Sequence, residues 1–542
     1  PRQRSTLAFL TRREAAQRER DGASRVCQIT NGDTDTAAKF HKTLPHDDLG
    51  QACTVDPMAF EALEQCIMSG DLDTCEAVPS GEPSGSLYNP IAGFAIDLAG
   101  PASSAVTTPP LPTLDSPELA AQLAECYWMA LARDVPFSQY GADDITTTAA
   151  VNLADMPGFL GGFGVAKGID GSVDPFSQLF RANFIGVETG PMISQLLIKD
   201  FTLDSITVTP QQNSFAPNID YMTSYDEWLN IQNGGEPDGP EEVDPTPRYI
   251  RNARDLATTA ATDTVFTEAF RGALVLIAEG AINGDGFNGP YIDRTRQHGF
   301  VNYGLSHVMR DLGRMELSQR SSWYQKWQVH LFVRPEALAG TVHNTILGVL
   351  KAPIDPSLLE NEELLKRVAA SNGAQNADGS APYLLSQAVV DGSPTHPSYP
   401  SGHAVQNGAF ATMLKAIVGL ERGMDCVADP VFPDDDGLTL LEYTGDCLTF
   451  EGEINKLAAN VAFGRMMMGV HYRFDATEGM RLGETVAVRI LHQEAIAFPE
   501  QYRYKFRLFT GQEIELFPDG TFEVDGEECS GDIYTGVEDC RA

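Results

Sequence analysis

The second half of this chain is dominated by helical patterns. Apolar residues recur at helical spacing in seven consecutive segments, and strand-like alternation is scarce until the C-terminal tail. The segments are 248–281, 300–317, 322–348, 355–371, 402–421, 452–469 and 475–496. In the tail, 513–517 and 521–524 flank Pro518-Asp519-Gly520, a hairpin signature. The sequence therefore predicts a mainly α fold, a large helical bundle with loops at one end and a small C-terminal β-hairpin.

The first part of the chain is less regular. Residues 1–25 are rich in Arg and weakly patterned, and 26–115 mix short helical pieces with Gly, Pro and Ser. Ser116 followed by Pro117 is typical of a helix start, and this helix is expected to run to about Ala132. We therefore divide the chain into an arm and disulfide-bearing region, 1–115, and a helical domain, 116–542, whose core spans about 320–496.

The charge balance of the chain excludes some classes of partner. Its 542 residues carry 75 acidic and 38 basic side chains, a net charge of −37. Such a chain is not expected to bind nucleic acid or an anionic membrane, and it has no apolar run long enough to predict a transmembrane helix. The first residue, Pro1, is not Met, which we interpret as a processed mature chain. In so acidic a chain, a local cluster of Lys and Arg is informative.

Nine cysteines indicate an oxidising compartment. Three local pairs are expected to form disulfides: Cys66 with Cys75, Cys426 with Cys447, and Cys529 with Cys540. Cys126 lies in a helical pattern and is predicted to be a buried thiol. Cys27 and Cys53 then form either one intrachain bridge or links to a second subunit.

Three short segments carry residues suited to binding an anion. The first, 396–403, reads His-Pro-Ser-Tyr-Pro-Ser-Gly-His, and its prolines exclude a regular helix before Ser401. Ser401 is a good N-cap, so Gly402 and His403 fall in the first turn of a helix. The free N–H groups of a helix start suit an anion, at which a histidine can move protons. A capped helix start without a site is the alternative interpretation.

The second and third segments supply cations and another histidine. Lys326 and Arg334 are eight residues apart, about 80° past two full helical turns, so one helix could direct both to one side. Arg465 is expected near the end of a helix, His471 in the following turn, and Asp475 as the N-cap of the next helix, with Glu478 in the capping-box position. The alternatives are a solvated cationic face, a helix C-terminal cation and a structural turn histidine.

Together the three segments resemble the signature of the vanadium-dependent haloperoxidases, which the related acid phosphatases share. The matching pattern is Lys-x7-Arg-Pro, then Pro-Ser-Gly-His, then Gly-Arg-x5-His-x3-Asp, over Lys326 to Asp475. The first gap is one residue longer than usual, and Gly464 stands where many members have Ser. Length, the helical second half and the cysteine pattern resemble the brown-algal vanadium bromoperoxidases most closely, and the two departures fit that branch.

The resemblance implies a vanadate cofactor, one per subunit, for which phosphate could substitute. His471 would be the protein ligand of the metal. The vanadate oxygens would be held by three cations and by two neutral donors at the helix start. These donors are Lys326, Arg334, Arg465, the Ser401 hydroxyl and the Gly402 N–H.

The resemblance also implies roles in turnover. His403 would act as the acid–base toward hydrogen peroxide, and Lys326 would polarise the bound peroxide. His396 stands where algal bromoperoxidases have histidine, and it would tune the halide site. Trp323 is a candidate wall of the halide pocket, with ordinary core packing as the alternative.

The function expected from this resemblance is oxidation of bromide and iodide by hydrogen peroxide to hypohalous acid, which halogenates small organic acceptors. Two other functions remain open. An acid phosphatase would use the same oxyanion cage with His471 as nucleophile, and a non-catalytic oxyanion-binding protein would need only the cations.

The assembly and location follow from the cysteines and the resemblance. The algal enzymes are built from dimers, so a homodimer linked through Cys27 and Cys53 is expected, with a higher oligomer open. The expected location is outside the cell of a marine alga, in the cell wall or apoplast.

Overall fold

The computed structural model describes residues 36–95, 97, 99–159, 178–282, 287 and 289–529, with only the main chain of Thr36, Cys53, Pro57 and Ile206. Within these residues the fold is mainly helical, as predicted. No described helix combines the length and the apolar character that crossing a membrane requires.

The N-terminal region packs directly on the second half of the chain. Its helices, numbered with all others in chain order, are α1 (Ala52–Val55), α2 (Pro57–Ser69) and α3 (Leu72–Glu76). Phe40 and Phe60 share a buried cluster with Trp327 and Leu331. Main-chain hydrogen bonds also join 38–40 to 331–333, because Phe40 N–H donates to Leu331 O and Val333 N–H donates to Ala38 O. The division at residue 115 stays a prediction.

The middle of the chain begins with a well-defined helix. Helix α4 (Pro117–Leu131) starts as predicted, with the Ser116 side chain accepting the Leu119 N–H. The next helices are α5 (Asp144–Asp155), α6 (Gln195–Ile198), α7 (Tyr225–Gln232), α8 (Ala253–Thr262) and α9 (Thr267–Ala278). Strands β1 (Phe201–Leu203) and β2 (Ile206–Val208) form an antiparallel pair. The single pattern 248–281 is thus two helices, interrupted by a turn at 263–266.

The prediction of one helix over 322–348 is wrong. Helices α10 (Leu305–Arg314) and α11 (Leu317–Tyr324) are followed by a π-helix, Gln325–His330, and only then by α12 (Pro335–Ile346). The chain leaves the π-helix at Leu331, which adopts a left-handed conformation with φ of 48°. The pairing of 331–333 with 38–40, which no local pattern encodes, takes the backbone out of the helix here.

The central helices run side by side and are buried on all sides. After α13 (Pro356–Leu359) and α14 (Glu362–Gln375) come α15 (Gly402–Val418), α16 (Leu420–Gly423), α17 (Phe450–Met467) and α18 (Arg473–Ala497). Helix α15 packs along α18 and α17, and α17 packs on α8. A Cβ on Gly483 would clash with the backbone of Val405, so glycine permits the close approach of α15 and α18.

The remaining strands include the predicted hairpin and others that were not predicted, and two of the expected disulfide pairs are present. Strands β3 (Val431–Pro433) and β4 (Leu440–Glu442) pair, and β5 (Tyr504–Arg507), β6 (Glu513–Leu516), β7 (Phe522–Val524) and β8 (Glu527–Glu528) form an antiparallel sheet. The predicted hairpin is β6–β7, and two further strands extend it. Cys66–Cys75 and Cys426–Cys447 form the expected disulfides, and Cys126 is a buried thiol as predicted. Cys529 is also disulfide-bonded. Cys27, Cys540 and the side chain of Cys53 lie outside what the structure describes.

Candidate functional site

Lys326 and Arg334 approach one loop from two different elements. Lys326 lies on the π-helix, and Arg334 is the N-cap of α12, whose first residue is Pro335. The sequence argument that one helix directs both to one side is therefore wrong, although both residues do reach the same place. They meet because the left-handed turn at Leu331 and the short connection 332–334 separate the π-helix from α12.

The loop 394–401 wraps around these two cations. The Lys326 ammonium donates to the carbonyl oxygens of Pro397 (2.7 Å) and Ser398 (2.8 Å). The Arg334 guanidinium donates from Nε to the carbonyl oxygen of His396 (2.8 Å). Both cations are fully buried, and burial together with the neighbouring cations lowers their pKa values, that of Arg334 to about 9. Main-chain carbonyls thus orient the cations, and the nearby Asp475 carboxylate offsets only part of the positive charge of Lys326, Arg334 and Arg465.

Helix α15 begins at the predicted position beside them. The Ser401 side chain accepts the Ala404 N–H (3.5 Å), and the Ser401 N–H donates to the carbonyl oxygen of Asp475 (3.0 Å). A Cβ on Gly402 would lie 3.1 Å from the Trp323 ring, so glycine lets the helix start sit against this ring. The free N–H groups of the first turn are consequently available at the site.

His403 is arranged to accept a proton. Its ring hydrogen-bonds the backbone of Asp263, whose carbonyl oxygen can only accept, so the ring donates. Its buried Nε2 has no partner among the described residues, which leaves Nδ1 as the donor. Burial, followed by the charge of Arg465, lowers its pKa well below the usual value. The imidazole is therefore neutral, with a free lone pair on Nε2.

Arg465 enters the site from the C-terminal end of α17. It donates to the carbonyl oxygen of Ala260 (3.1 Å), while its buried Nε has no partner in the described chain. Burial lowers its pKa to about 10, against the opposing charge of Asp263. One side of this guanidinium thus remains able to bind an anion.

His471 is held by Asp475. The Asp475 carboxylate accepts from His471 Nδ1 (2.7 Å), from the Tyr472 N–H (3.0 Å) and from the Ser398 hydroxyl. This fixes the proton on Nδ1, so Nε2 carries a lone pair, 3.0 Å from an Arg334 nitrogen. Burial raises the pKa of Asp475 to about 6.

The predicted helix cap at Asp475 is wrong by three positions. Helix α18 starts at Arg473 with Tyr472 as N-cap, and Asp475 at the third helical position completes the capping box. Glu478 instead pairs with Arg481 (2.7 Å). The earlier start frees the Asp475 side chain to bind His471, four residues before it.

His396 and Trp323 form one side of the site. Their ring centres are 5.0 Å apart, and Tyr88 meets His396 edge-to-face at 6.1 Å. An Arg334 nitrogen lies 3.0 Å from His396 Nδ1, and burial with the nearby cations lowers the pKa of His396 well below the usual value. His396 is therefore neutral beside a cation and an indole.

A cavity of about 1030 Å³ connects these groups to the surface. Its wall includes six of the predicted site residues: Trp323, His396, Gly402, His403, Arg465 and His471. Lys326, Arg334 and Ser401 lie just behind this wall, fully buried. The structure thus brings all nine predicted residues to one end of the cavity.

The donors at this end fit a tetrahedral oxyanion. His403 Nε2 and Arg465 Nε are buried polar atoms without partners among the described residues, and they meet at the cavity. Three cations and a helix start surround the same space. A bound anion would accept from the Arg465 Nε–H and the other cations, and a hydroxyl group on that anion could donate to the His403 Nε2 lone pair. The His471 lone pair could bind a metal centre within the anion.

Sequence reasoning missed two contributors. Ser398 lies inside the segment 396–403, and its hydroxyl hydrogen-bonds Asp475, but the segment does not show which of its two serines faces which element. Asp263 contributes its main-chain carbonyl to His403. A main-chain contact carries no residue signal, so no sequence pattern could have identified it.

A second cluster in the described chain has a geometry that could hold a metal ion: His307, Asp311 and Glu494. Arg310 lies 2.6 Å from each of the two carboxylates, and Arg314 also pairs with Glu494. Two arginines already neutralise the two carboxylates, so this cluster is a buried ion-pair network.

Comparisons with known proteins agree with this geometry. The protein-family model described as the VCPO second helical-bundle domain matches residues 321–497 of this chain. A vanadium-dependent bromoperoxidase from Ascophyllum nodosum is 64% identical over 544 aligned residues, which cover 100% of this chain and 97% of that protein. One from Corallina officinalis is 32% identical, covering 90% of this chain and 92% of that protein.

A solved structure is also similar over nearly the full length. It is the homohexameric second vanadate-dependent bromoperoxidase from Ascophyllum nodosum, with a TM-score of 0.88 and 39% sequence identity. The match covers 98% of this chain and 93% of that chain. The similarity therefore includes the N-terminal region as well as the helices around the site.

Proposed function

The chain belongs to the vanadium-dependent bromoperoxidase family, and we propose that its cavity binds vanadate and uses hydrogen peroxide to oxidise bromide, and iodide, to hypohalous acid. The family determines the enzyme class. The ligand that this chain binds and the role of each site residue are proposed here from the geometry. The product would halogenate small organic acceptors.

The observation that carries the proposal is how the buried cations of the site are paired. Lys326 and Arg334 donate to main-chain carbonyls. The other buried lysines of the described chain face carboxylates, as Lys42 does with Glu336 (2.7 Å) and Lys456 with Glu453 (2.7 Å). Removing a buried cation's counter-ion is costly, so the charges left over at this site indicate an anionic ligand.

Vanadate, when bound, supplies a Lewis-acidic centre that activates hydrogen peroxide toward halide. His471 offers Nε2 as its ligand, with Asp475 keeping the proton on Nδ1. Lys326, Arg334 and Arg465 offset the negative charge. His403 Nε2 accepts a proton from incoming peroxide, because the neutral ring already donates from its other nitrogen.

The halide is proposed to approach along the His396 and Trp323 side of the cavity. A neutral imidazole and an indole edge can contact a large polarisable anion, and the nearby Arg334 charge attracts it. Trp323 is only partly buried, and its ring lies 5.9 Å from the Lys326 ammonium, which gives it more than a packing role.

The test is reconstitution of the metal-free protein. Added vanadate should restore bromide- and peroxide-dependent bromination with one vanadium per chain, and His471→Ala should abolish it. Near-normal activity of His471→Ala would contradict the assignment. Hydrolysis of a phosphate ester without any bromination would instead support the acid phosphatase.

We further propose a homodimer linked through Cys27 and Cys53, and secretion to the cell wall or apoplast. Disulfides at Cys66–Cys75 and Cys426–Cys447 support an oxidising location. A relative is a homohexamer, and six chains can be arranged as three two-fold dimers, so a dimer is compatible with a larger assembly of this chain.

A further inference from the structure

The cavity is far larger than its inorganic substrates require. Halide, hydrogen peroxide and a tetrahedral anion each consist of a few atoms, whereas the cavity holds about 1030 Å³. Ligand cavities of this size accept drug-sized organic molecules. The oxyanion donors occupy one end, and the remaining space therefore requires a separate explanation.

Another part of the cavity wall is aromatic. Phe266 and Phe270 meet edge-to-face with ring centres 5.7 Å apart, and Phe270 meets Phe410 at 6.4 Å. All three line the cavity, as do Ala261 and Val265. Phe266 is 48% exposed and Phe410 is buried, so the row of rings runs from the mouth of the cavity inward. A further aromatic ring can pack favourably against rings in this edge-to-face arrangement.

The turn that carries this wall is also attached to the oxyanion site. It connects α8 to α9 and begins at Asp263, whose backbone hydrogen-bonds His403. Two residues later, Val265 has φ of 69°, a conformation that is strained for a β-branched side chain. Strained backbone is retained where the surrounding structure holds a functional geometry. Here it presents Val265 and Phe266 to the cavity.

We propose that Phe266, Phe270 and Phe410 form a binding subsite for a neutral, apolar, electron-rich arene, which is brominated inside the cavity. This inference rests on the proposed function, because that function supplies the oxidised bromine. A neutral acceptor is favoured over an anion, since the wall is apolar and the chain carries a net charge of −37.

The reaction balances without a further reagent: ArH + Br⁻ + H₂O₂ + H⁺ gives ArBr + 2 H₂O. Bromide is oxidised and the peroxide O–O bond is reduced. A ring π pair forms the C–Br bond, the C–H pair returns to the ring, and the proton leaves to water.

The experiment is a competition between two anisoles of similar intrinsic reactivity, para-propylanisole and the anion para-methoxyphenylacetate. Both are supplied to the vanadate-loaded enzyme with bromide and peroxide, and the ratio of brominated products is compared with that from reagent hypobromous acid. We expect the enzyme to favour para-propylanisole roughly tenfold over the reagent ratio, the effect of withdrawing about two methylene groups from water.

Two single variants locate the selectivity. Phe266→Ala should return the ratio close to that of the reagent without changing bromide-dependent peroxide consumption measured without acceptor. Phe300→Ala, which removes a ring that is 78% exposed and not part of the cavity wall, should leave the ratio unchanged. The subsite is refuted if the unmodified enzyme gives the reagent ratio, or if both variants lower the ratio equally. Absence of bromide-dependent peroxide consumption would instead refute the proposed function.

Discussion

Replacing Asp475 by Asn tests how the protein separates vanadate from other tetrahedral anions. The carboxylate accepts from His471 Nδ1 at 2.7 Å, from the Tyr472 N–H at 3.0 Å and from the Ser398 hydroxyl. Its other oxygen is buried without a hydrogen-bond partner in the described chain. An amide in this position is a weaker acceptor, and it no longer opposes transfer of the proton to His471 Nε2.

The expected effect is specific to vanadate. Loss of such a supporting partner typically weakens metal binding about tenfold to a hundredfold, or roughly 1.4–2.8 kcal/mol. Phosphate needs no bond from His471, and removal of a nearby negative charge favours it. The vanadate-to-phosphate affinity ratio of Asp475→Asn should therefore fall at least tenfold, measured by equilibrium dialysis of the metal-free protein.

The effect should also depend on pH. Burial raises the pKa of Asp475 to about 6, so the carboxylate is charged well above that pH and protonated below it. The difference between Asp475→Asn and the unmodified protein should be largest at alkaline pH and should shrink as the pH falls through about 6. Ser398→Ala is the matched control, because it removes one donor to Asp475 and keeps the bond to His471. An unchanged affinity ratio at alkaline pH would refute this reasoning.

Three further predictions concern other parts of the molecule. His403→Ala should bind vanadate normally while turnover falls about 10²–10⁴-fold; loss of vanadate binding in a dialysis assay would contradict an acid–base role. Lys42→Met should lower the free energy of unfolding by about 3–5 kcal/mol in urea titration, since it leaves the buried Glu336 unpaired, and adding Glu336→Gln should recover part of that loss. Denaturing gels should show a dimer without reductant and a 58.8 kDa chain with it; a 58.8 kDa band in both lanes would return Cys27 and Cys53 to an intrachain bridge.

Much of the helical architecture was predictable, because it depends on periodic burial. Helices α15, α17 and α18 are buried against one another, and their apolar spacing marks them within a few residues. The break between the π-helix and α12 was only partly predictable. Pro335 disfavours a helix that continues through it. The left-handed turn at Leu331 is accompanied by pairing with residues 38–40, almost 300 positions earlier in the sequence, which the local pattern does not show.

The site residues were predictable as residue types in order, but the reason they converge was not. Lys326 and Arg334 were expected to share a helix face and instead converge through a change of backbone direction at Leu331. Asp475 was expected to cap a helix and instead orients His471. Sequence spacing fixes which groups are present, whereas tertiary contacts determine which atoms face the ligand.

The same geometry explains why the hydrogen-bond donors alone cannot distinguish vanadate from phosphate. Lys326, Arg334, Arg465 and a helix start recognise negative charge and tetrahedral shape, which phosphate and vanadate share. His471 differs from these groups, because it offers a lone pair, and that lone pair exists only while Asp475 keeps the proton on the other ring nitrogen. Phosphorus in phosphate does not accept a further ligand reversibly at rest, whereas vanadium does. Under the proposed function, selection for the metal therefore depends on one hydrogen bond of 2.7 Å between Asp475 and His471, behind the cations that attract the anion.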